Sequence, residues 1–271
     1  MAEPGIAAPP KSSRAGAGAP VRFEKRGAIA WVTLNRPERL NAYNVAMRDA
    51  LYAALTSIHR DPEIRAMVLR GAGPAFSTGG DVSEFGRAPS PIAARWIRFR
   101  RDVWGRMRTL TIPTVAAVHG FTVGGGLEMA LLCDLAIAAE DARFCLPETG
   151  LGMIPGVAGT QTAPRRLPFG WALDLNLTGR WIDARRALFI GLVADVVPRP
   201  ALDRTALNLA KTLSRLPRER VAVAKIAVWE GLDATLAQGL ELERRLAARL
   251  GNFSTAPLAK AAAMRPSPRR R

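Results

Sequence analysis

Cysteine, histidine and long apolar runs are scarce in this 271-residue chain, and each shortage removes a class of function. Its two cysteines, Cys133 and Cys145, sit in apolar surroundings; they read as buried free thiols of a reducing compartment rather than a disulfide framework. The two histidines, His59 at a helix end and His119 beside a strand, give no basis for a His-based triad or a zinc cluster. No apolar stretch reaches the ~18 residues of a membrane span, and the N-terminal end lacks the apolar core of a signal peptide. A cytoplasmic protein without a membrane partner is therefore expected. No Walker A pattern occurs, and the spacing after Gly124-Gly125-Gly126 fails as a dinucleotide fingerprint. Gly150-Leu151-Gly152-Met153-Ile154-Pro155 has proline where that fingerprint needs glycine. No metal, nicotinamide or nucleoside triphosphate cofactor is expected.

Negative charge is short as well. Asp and Glu number 23 against 39 Lys and Arg, a net charge of +16. Such a balance suits a nucleic-acid surface, a basic entry for a polyanionic ligand, or an Arg-rich surface of no specific use; charge alone does not choose. With 48% apolar and 23% charged residues, the composition is that of a globular protein, and the length buries a core in one large or two small domains.

Residues 1–20, rich in Ala, Pro and Gly, are expected to form a disordered extension, and 256–271, ending in Arg269-Arg270-Arg271, a solvated basic tail. Between them, strands and crossover helices over 21–200 and helices over 201–255 indicate an α/β core followed by a helical region. Val21 to Lys25 and Ile29 to Asn35 alternate across Arg26-Gly27-Ala28 as a hairpin. Asn44 to His59 carries Met47, Leu51, Ala54, Leu55 and Ile58 on one helical face. Met67 to Gly71, Thr114 to Val118, Leu135 to Ala139 and Leu192 to Pro198 read as strands. Helices are expected at Gly170 to Thr178, Ala184 to Ile190, Leu202 to Leu216, Arg218 to Glu230 and Thr235 to Leu250. Pro91 to Leu110 interleaves six arginines with Trp96 and Trp104, as a nucleic-acid surface could. Yet Ile92, Trp96, Phe99, Val103, Met107 and Leu110 form one stripe at spacings of three and four, which favours a single amphipathic helix with a solvated basic face.

The chemistry concentrates between Thr114 and Gly159. A buried strand ends at His119-Gly120, and Gly124-Gly125-Gly126 leads into Leu127 to Cys133, a helix former's sequence. Glycines at such a handover let another group approach the backbone and leave the first helical N–H groups without partners. Those donors, at the positive end of the helix dipole, suit a developing negative charge. Glu128 lies in the first turn and Glu148 follows 20 residues later. Two carboxylates flanking an oxyanion site suit acid–base chemistry beside a carbonyl.

Phe76-Ser77-Thr78-Gly79-Gly80-Asp81, His119-Gly120, Gly124 to Glu128, Cys133-Asp134, Pro147-Glu148-Thr149-Gly150-Leu151-Gly152-Met153-Ile154-Pro155-Gly156 and Gly159-Thr160-Gln161, in that order, resemble the crotonase superfamily. Within it, they are most similar to enoyl-CoA hydratase. The resemblance implies a spiral of ββα turns, with C-terminal helices that mediate trimers and hexamers formed as pairs of trimers. It implies backbone N–H donors at Gly80 and Gly125, water activation by Glu128 and proton donation to the α-carbon by Glu148. It also places Arg36, Leu40, Ala42, Thr78, Gly79, Asp81 and Gly124 near coenzyme A or the substrate, with Phe85, Trp96 and Phe99 on the acyl side or in the core. Coenzyme A enters as part of the substrate, and no separate cofactor is implied. Many relatives have Ala where this chain has Gly80, and many have a phosphate-reaching Lys where it has Ser83. A 3,2-enoyl-CoA isomerase, a pathway-specific relative acting on branched or cyclic acyl groups, and a crotonase-like RNA-binding protein stay open as alternatives.

Overall fold

A computed structural model describes residues 18–251. The extension at 1–17 and the tail at 256–271 lie outside the described residues. Residues 19–20 are tied down, since Ala19 and Pro20 carbonyls accept from the Asn35 side chain and backbone.

The strands are β1 (Val21–Arg26), β2 (Ile29–Leu34), β3 (Ala66–Gly71), β4 (Thr114–Val118), β5 (Phe121–Val123), β6 (Leu135–Ala139), β7 (Arg143–Cys145), β8 (Ile182–Asp183) and β9 (Asp195–Val197). The helices are α1 (Val45–Arg60), α2 (Pro91–Phe99), α3 (Val103–Arg108), α4 (Gly125–Leu132), α5 (Gly159–Arg166), α6 (Phe169–Thr178), α7 (Ala184–Phe189), α8 (Leu202–Arg215), α9 (Arg218–Gly231) and α10 (Leu236–Arg249).

Six strands form one sheet in the order β1-β2-β3-β4-β6-β9, antiparallel only at the β1–β2 hairpin. Alternation along each strand sends Ala30, Val32, Met67, Leu69, Ala116 and Ala138 to a core that includes α1. Their neighbours Ile29, Trp31, Val68, Val115 and Ile137 go to the other face, against Leu202, Ala206 and Ala210 of α8. A parallel sheet buried on both faces needs near-continuous apolar strands, and β4 is buried at all five positions. Because α8 closes one face of the sheet, the first compact unit runs on to Ala222; the second begins at Val223 and, among the described residues, holds the end of α9 and α10. Thr235 and Gln238 start α10 with a reciprocal capping box.

A second, smaller sheet, β5-β7-β8, runs beside these turns. β4 passes to β5 and then α4, and β6 passes to β7 before α5. The segment after β3 contributes only isolated parallel bridges, Ser77 to Thr122 and Tyr43 to Gly80. Each turn thus gives one strand or bridge to either layer before its helix, which is the crotonase-like α/β spiral.

α1 starts where expected, with the Asn44 side chain accepting from Met47 N at 2.9 Å, and Met47, Leu51, Ala54, Leu55 and Ile58 are buried. Two expectations need correction. The stretch 91–110 is two helices, because Asp102 turns its carboxylate onto Gly105 N (2.8 Å) and caps a new start. The apolar stripe divides there: Val103, Met107 and Leu110 are buried, while Ile92, Trp96 and Phe99 are exposed. The last strand is only Asp195–Val197, because the Leu192 and Val193 amides bond back to Ala187 O beneath α7.

Candidate active site

The Gly79–Asp81 loop is set by one parallel bridge. Gly79 O accepts from Tyr43 N at 2.7 Å, and Asp81 N donates to Tyr43 O at 3.0 Å. Successive residues of an extended chain point to opposite sides, so the Gly80 N–H faces away from Tyr43. Across from it, Gly125 is the first residue of α4, where N–H groups have no intrahelical partner. Gly124 precedes it with φ +51 and ψ −125, a conformation that only glycine adopts readily. A Cβ added at Gly79 would lie 2.9 Å from Gly125 N, and one added at Gly125 would lie 3.8 Å from Gly80 N. The two amides are therefore neighbours, brought together by glycines that leave the space open.

Glu128 is buried, with 1% of its surface exposed. Its Oε1 accepts from Val157 N at 3.0 Å and Gly159 N at 2.6 Å. Between those amides Ala158 has φ +135, a costly backbone for a residue with a Cβ. The strain sits where it turns two N–H groups onto one carboxylate oxygen. Gly159 is also the first residue of α5, so the helix dipole adds to the stabilisation of a negative charge there. A Cβ on Gly159 would lie 2.7 Å from Pro155 Cβ and 3.0 Å from Glu128 Oε1.

Glu148 follows Pro147 and opens a 3-10 turn, Glu148–Leu151. Its backbone carbonyl accepts from Met153 N at 2.9 Å, and the adjacent Thr149 hydroxyl lies 3.1 Å from Asn176 O. Glu148 Oε1 lies 2.6 Å from where a Cβ on Gly124 would sit, and Glu128 Oε2 lies 3.9 Å from where one on Gly125 would sit. The two expected carboxylates thus reach consecutive glycines at the start of α4. Neighbouring Cys145 is not a nucleophile here: burial foremost, with the Glu148 charge added, pushes its thiol up to about 11.

The segment Arg36–Ala42 supports this floor. Arg36 Nη1 reaches Asp81 Oδ2 at 2.9 Å and Ala42 O at 2.6 Å. Asp81 also accepts from the Ser83 hydroxyl at 2.7 Å and Ser83 N at 3.1 Å. These bonds, Ser83's first and then Arg36's, hold its carboxyl below the usual value. Ser83, where the resemblance implies a lysine in many relatives, is thus engaged within its own loop. Leu40 O accepts from Thr78 N at 3.1 Å. Asn41 was missed in the sequence. It is buried at φ +56, accepts from Arg36 N, and donates to Ala72 O and Ala75 O, each at 2.8 Å. Asparagine tolerates positive φ and carries both donor and acceptor, the one signal that could have found it. Ser77 extends the network, donating to Asn41 O at 2.8 Å and accepting from Gly79 N at 3.2 Å.

His119 is buried beside Gly73 O, and burial, then Arg199, lowers its pKa to about 4; it is a neutral structural side chain at neutral pH. Among the described residues, no cluster of His, Cys, Asp or Glu could hold a metal ion, and no helix is long and apolar enough to cross a membrane.

Known proteins are similar to this chain over most of its length. The probable enoyl-CoA hydratase echA8 of Mycobacterium leprae is 40% identical over 218 residues, covering 80% of this chain and 84% of that protein. The (E)-benzylidenesuccinyl-CoA hydratase of Thauera aromatica is 37% identical over 222 residues, 82% of this chain and 86% of its own. The crystal structure of an enoyl-CoA hydratase from Bacillus anthracis superposes with a TM-score of 0.83 at 31% identity, over 90% of this chain and 95% of that one. Residues 24–256 match the family described as enoyl-CoA hydratase/isomerase. With its ββα spiral, paired glycine loops and two carboxylates, the chain belongs to the enoyl-CoA hydratase/isomerase family.

Proposed function

We propose that the protein is an enoyl-CoA hydratase, a hydro-lyase that adds water across the 2,3 double bond of an enoyl-CoA thioester. The observation that carries the reading is the pair of carboxylates meeting consecutive glycines, Gly124 and Gly125, beside the Gly80 amide. The thioester oxygen would lie between the Gly80 and Gly125 N–H groups. As a water oxygen attacks the β-carbon, the C=C electrons move toward that oxygen, and fixed donors there are worth about 3–4 kcal/mol each. Glu128, held by Val157 N and Gly159 N, takes the proton from the attacking water. Glu148, entering protonated, gives its proton to the α-carbon as the thioester carbonyl re-forms. One O–H bond and one π bond break, and one C–O and one C–H bond form. The two glutamates must then exchange protonation states to reset.

Gly79 and Gly124 keep the donors close, while Arg36, Leu40, Ala42, Thr78 and Asp81 shape the wall along which coenzyme A would lie. Coenzyme A belongs to the substrate in this reading, and no further cofactor takes part. Self-association as a homotrimer, or a pair of trimers, is supported by exposed apolar residues on α6 and α7: Phe169, Leu173, Leu177, Leu188 and Phe189. A cytoplasmic setting is supported by Cys133 and Cys145, both buried and in no disulfide.

The test is product identity. Incubation with crotonyl-CoA should yield 3-hydroxybutyryl-CoA, heavier than its substrate by one water. A product of unchanged mass with its double bond moved would instead mark the one-glutamate isomerase.

A further inference from the structure

Phe85 stands out as a large apolar side chain, half of it in solvent, in a loop held on both sides. It ends the 3-10 turn Val82–Glu84, whose start is capped by Asp81. The Glu84 carboxylate accepts from Val45 N at 3.0 Å, so the turn is fixed to the start of α1 as well. What this geometry delivers is a ring edge against Gly80. The position of a Cβ on Gly80 lies 2.8 Å from Phe85 Cζ and 3.1 Å from Cε1. Gly80 has an ordinary backbone here, unlike Gly79 and Gly124 with their positive φ. Its lack of a side chain is therefore explained by the ring rather than by conformation.

We propose that Phe85 determines which acyl groups reach the oxyanion donors, with Gly80 as its matched partner, so that the site takes straight enoyl thioesters and turns away those branched at the α-carbon. The inference rests on the hydratase reading for the place of the thioester oxygen. With that oxygen on the Gly80 N–H, the α-carbon lies two bonds away, in the space the exposed part of the ring borders. Packing there discriminates by added methyl groups, an effect of about tenfold or more per methylene-sized difference.

The experiment compares wild type, Phe85→Leu, Phe85→Ala, Gly80→Ala and the double variant Gly80→Ala/Phe85→Ala. Two ratios are read: kcat/KM for 2-methylcrotonyl-CoA over crotonyl-CoA, and calorimetric affinity for 2-methylbutyryl-CoA over butyryl-CoA. Phe85→Ala should raise both ratios about tenfold, with Phe85→Leu between it and wild type. Gly80→Ala should push the ring aside and raise the ratios in the same direction. The double variant should then gain little beyond Phe85→Ala, because the two positions act through one contact. Ratios within twofold of wild type in Phe85→Ala, or Gly80 and Phe85 effects that multiply independently, would overturn the proposal. Wild type that hydrates neither thioester would sink the hydratase reading instead, and the binding ratios would still decide the role of Phe85.

Discussion

Glu128 and Trp96 both sit on short helices, α4 and α2, yet their surroundings are opposite. Glu128 is 1% exposed and bonded to two backbone amides, whereas Trp96 is 59% exposed and met by the Arg100 guanidinium 4.9 Å above its ring. The first belongs to a floor made of backbone: glycine loops, a strained Ala158 and the start of α5. The second belongs to an exposed apolar rim: Val82, Phe85, Ile92, Trp96 and Phe99. The difference separates two tasks. Chemistry at a carbonyl needs donors and carboxylates fixed to within a fraction of an ångström, and buried backbone supplies that. Choosing among acyl groups needs only bulk at the right place, which exposed side chains can change without disturbing the floor.

The largest break in that contrast should come from Glu128→Gln. The amide keeps an acceptor for Val157 and Gly159 but cannot take a proton, so kcat on crotonyl-CoA should fall about 10³-fold, with the thermal midpoint nearly unchanged by calorimetry. Gly159→Ala tests the seat rather than the group. A Cβ there crowds Pro155 and Glu128 Oε1, and the displaced carboxylate should cost about 10- to 100-fold in kcat with little change in KM. Substrate binding weakened as much as turnover would show that the loop serves affinity instead.

Asp81→Asn addresses the loop that follows Gly80. Removing the charge opposite Arg36 should cost about 1–2 kcal/mol of stability at pH 7, read as a denaturant midpoint. The Asp81 carboxyl titrates below its ordinary value in the folded state, so its contribution is complete above the unfolded value of ~3.9. It is lost as pH falls through the lower folded value. The gap between wild type and Asp81→Asn should close in acid below about pH 4; a gap that stays constant would remove the ionised carboxylate from the account. Smallest of all, Trp96→Ala should leave stability within about 0.5 kcal/mol and crotonyl-CoA turnover close to wild type. A large loss there would make the rim part of the catalytic floor.

Much of the frame was legible because its physics is local. β4 and β6 were found residue for residue, since both are short apolar runs of β-branched and small residues ended by turn or helix signals. α1 was found from Asn44, which the structure makes its cap. The small sheet was not, because β5 and β7 have three residues each and β8 two, too few to show a period. α5 was missed since it opens on glycine and contains Pro164, both signs of a loop. The glycine loops and both glutamates could be placed by motif, whereas the partners that hold Glu128 could not. An alanine at φ +135 leaves no trace in composition, because tertiary contacts rather than propensity keep it there. Phe85 was read as either pocket or core; half of it lies in solvent with a ring edge at Gly80, which takes it out of the core.

The central claim is that two carboxylates on one glycine turn act as a unit. Its most direct test follows the loss of conjugated enoyl-thioester absorbance from crotonyl-CoA with wild type, Glu128→Gln, Glu148→Gln and the double variant, each verified as folded. Groups that share one reaction are strongly non-additive, so each single variant should lose nearly as much as the double, about 10³-fold or more in kcat. Either single variant turning over within tenfold of wild type would contradict it.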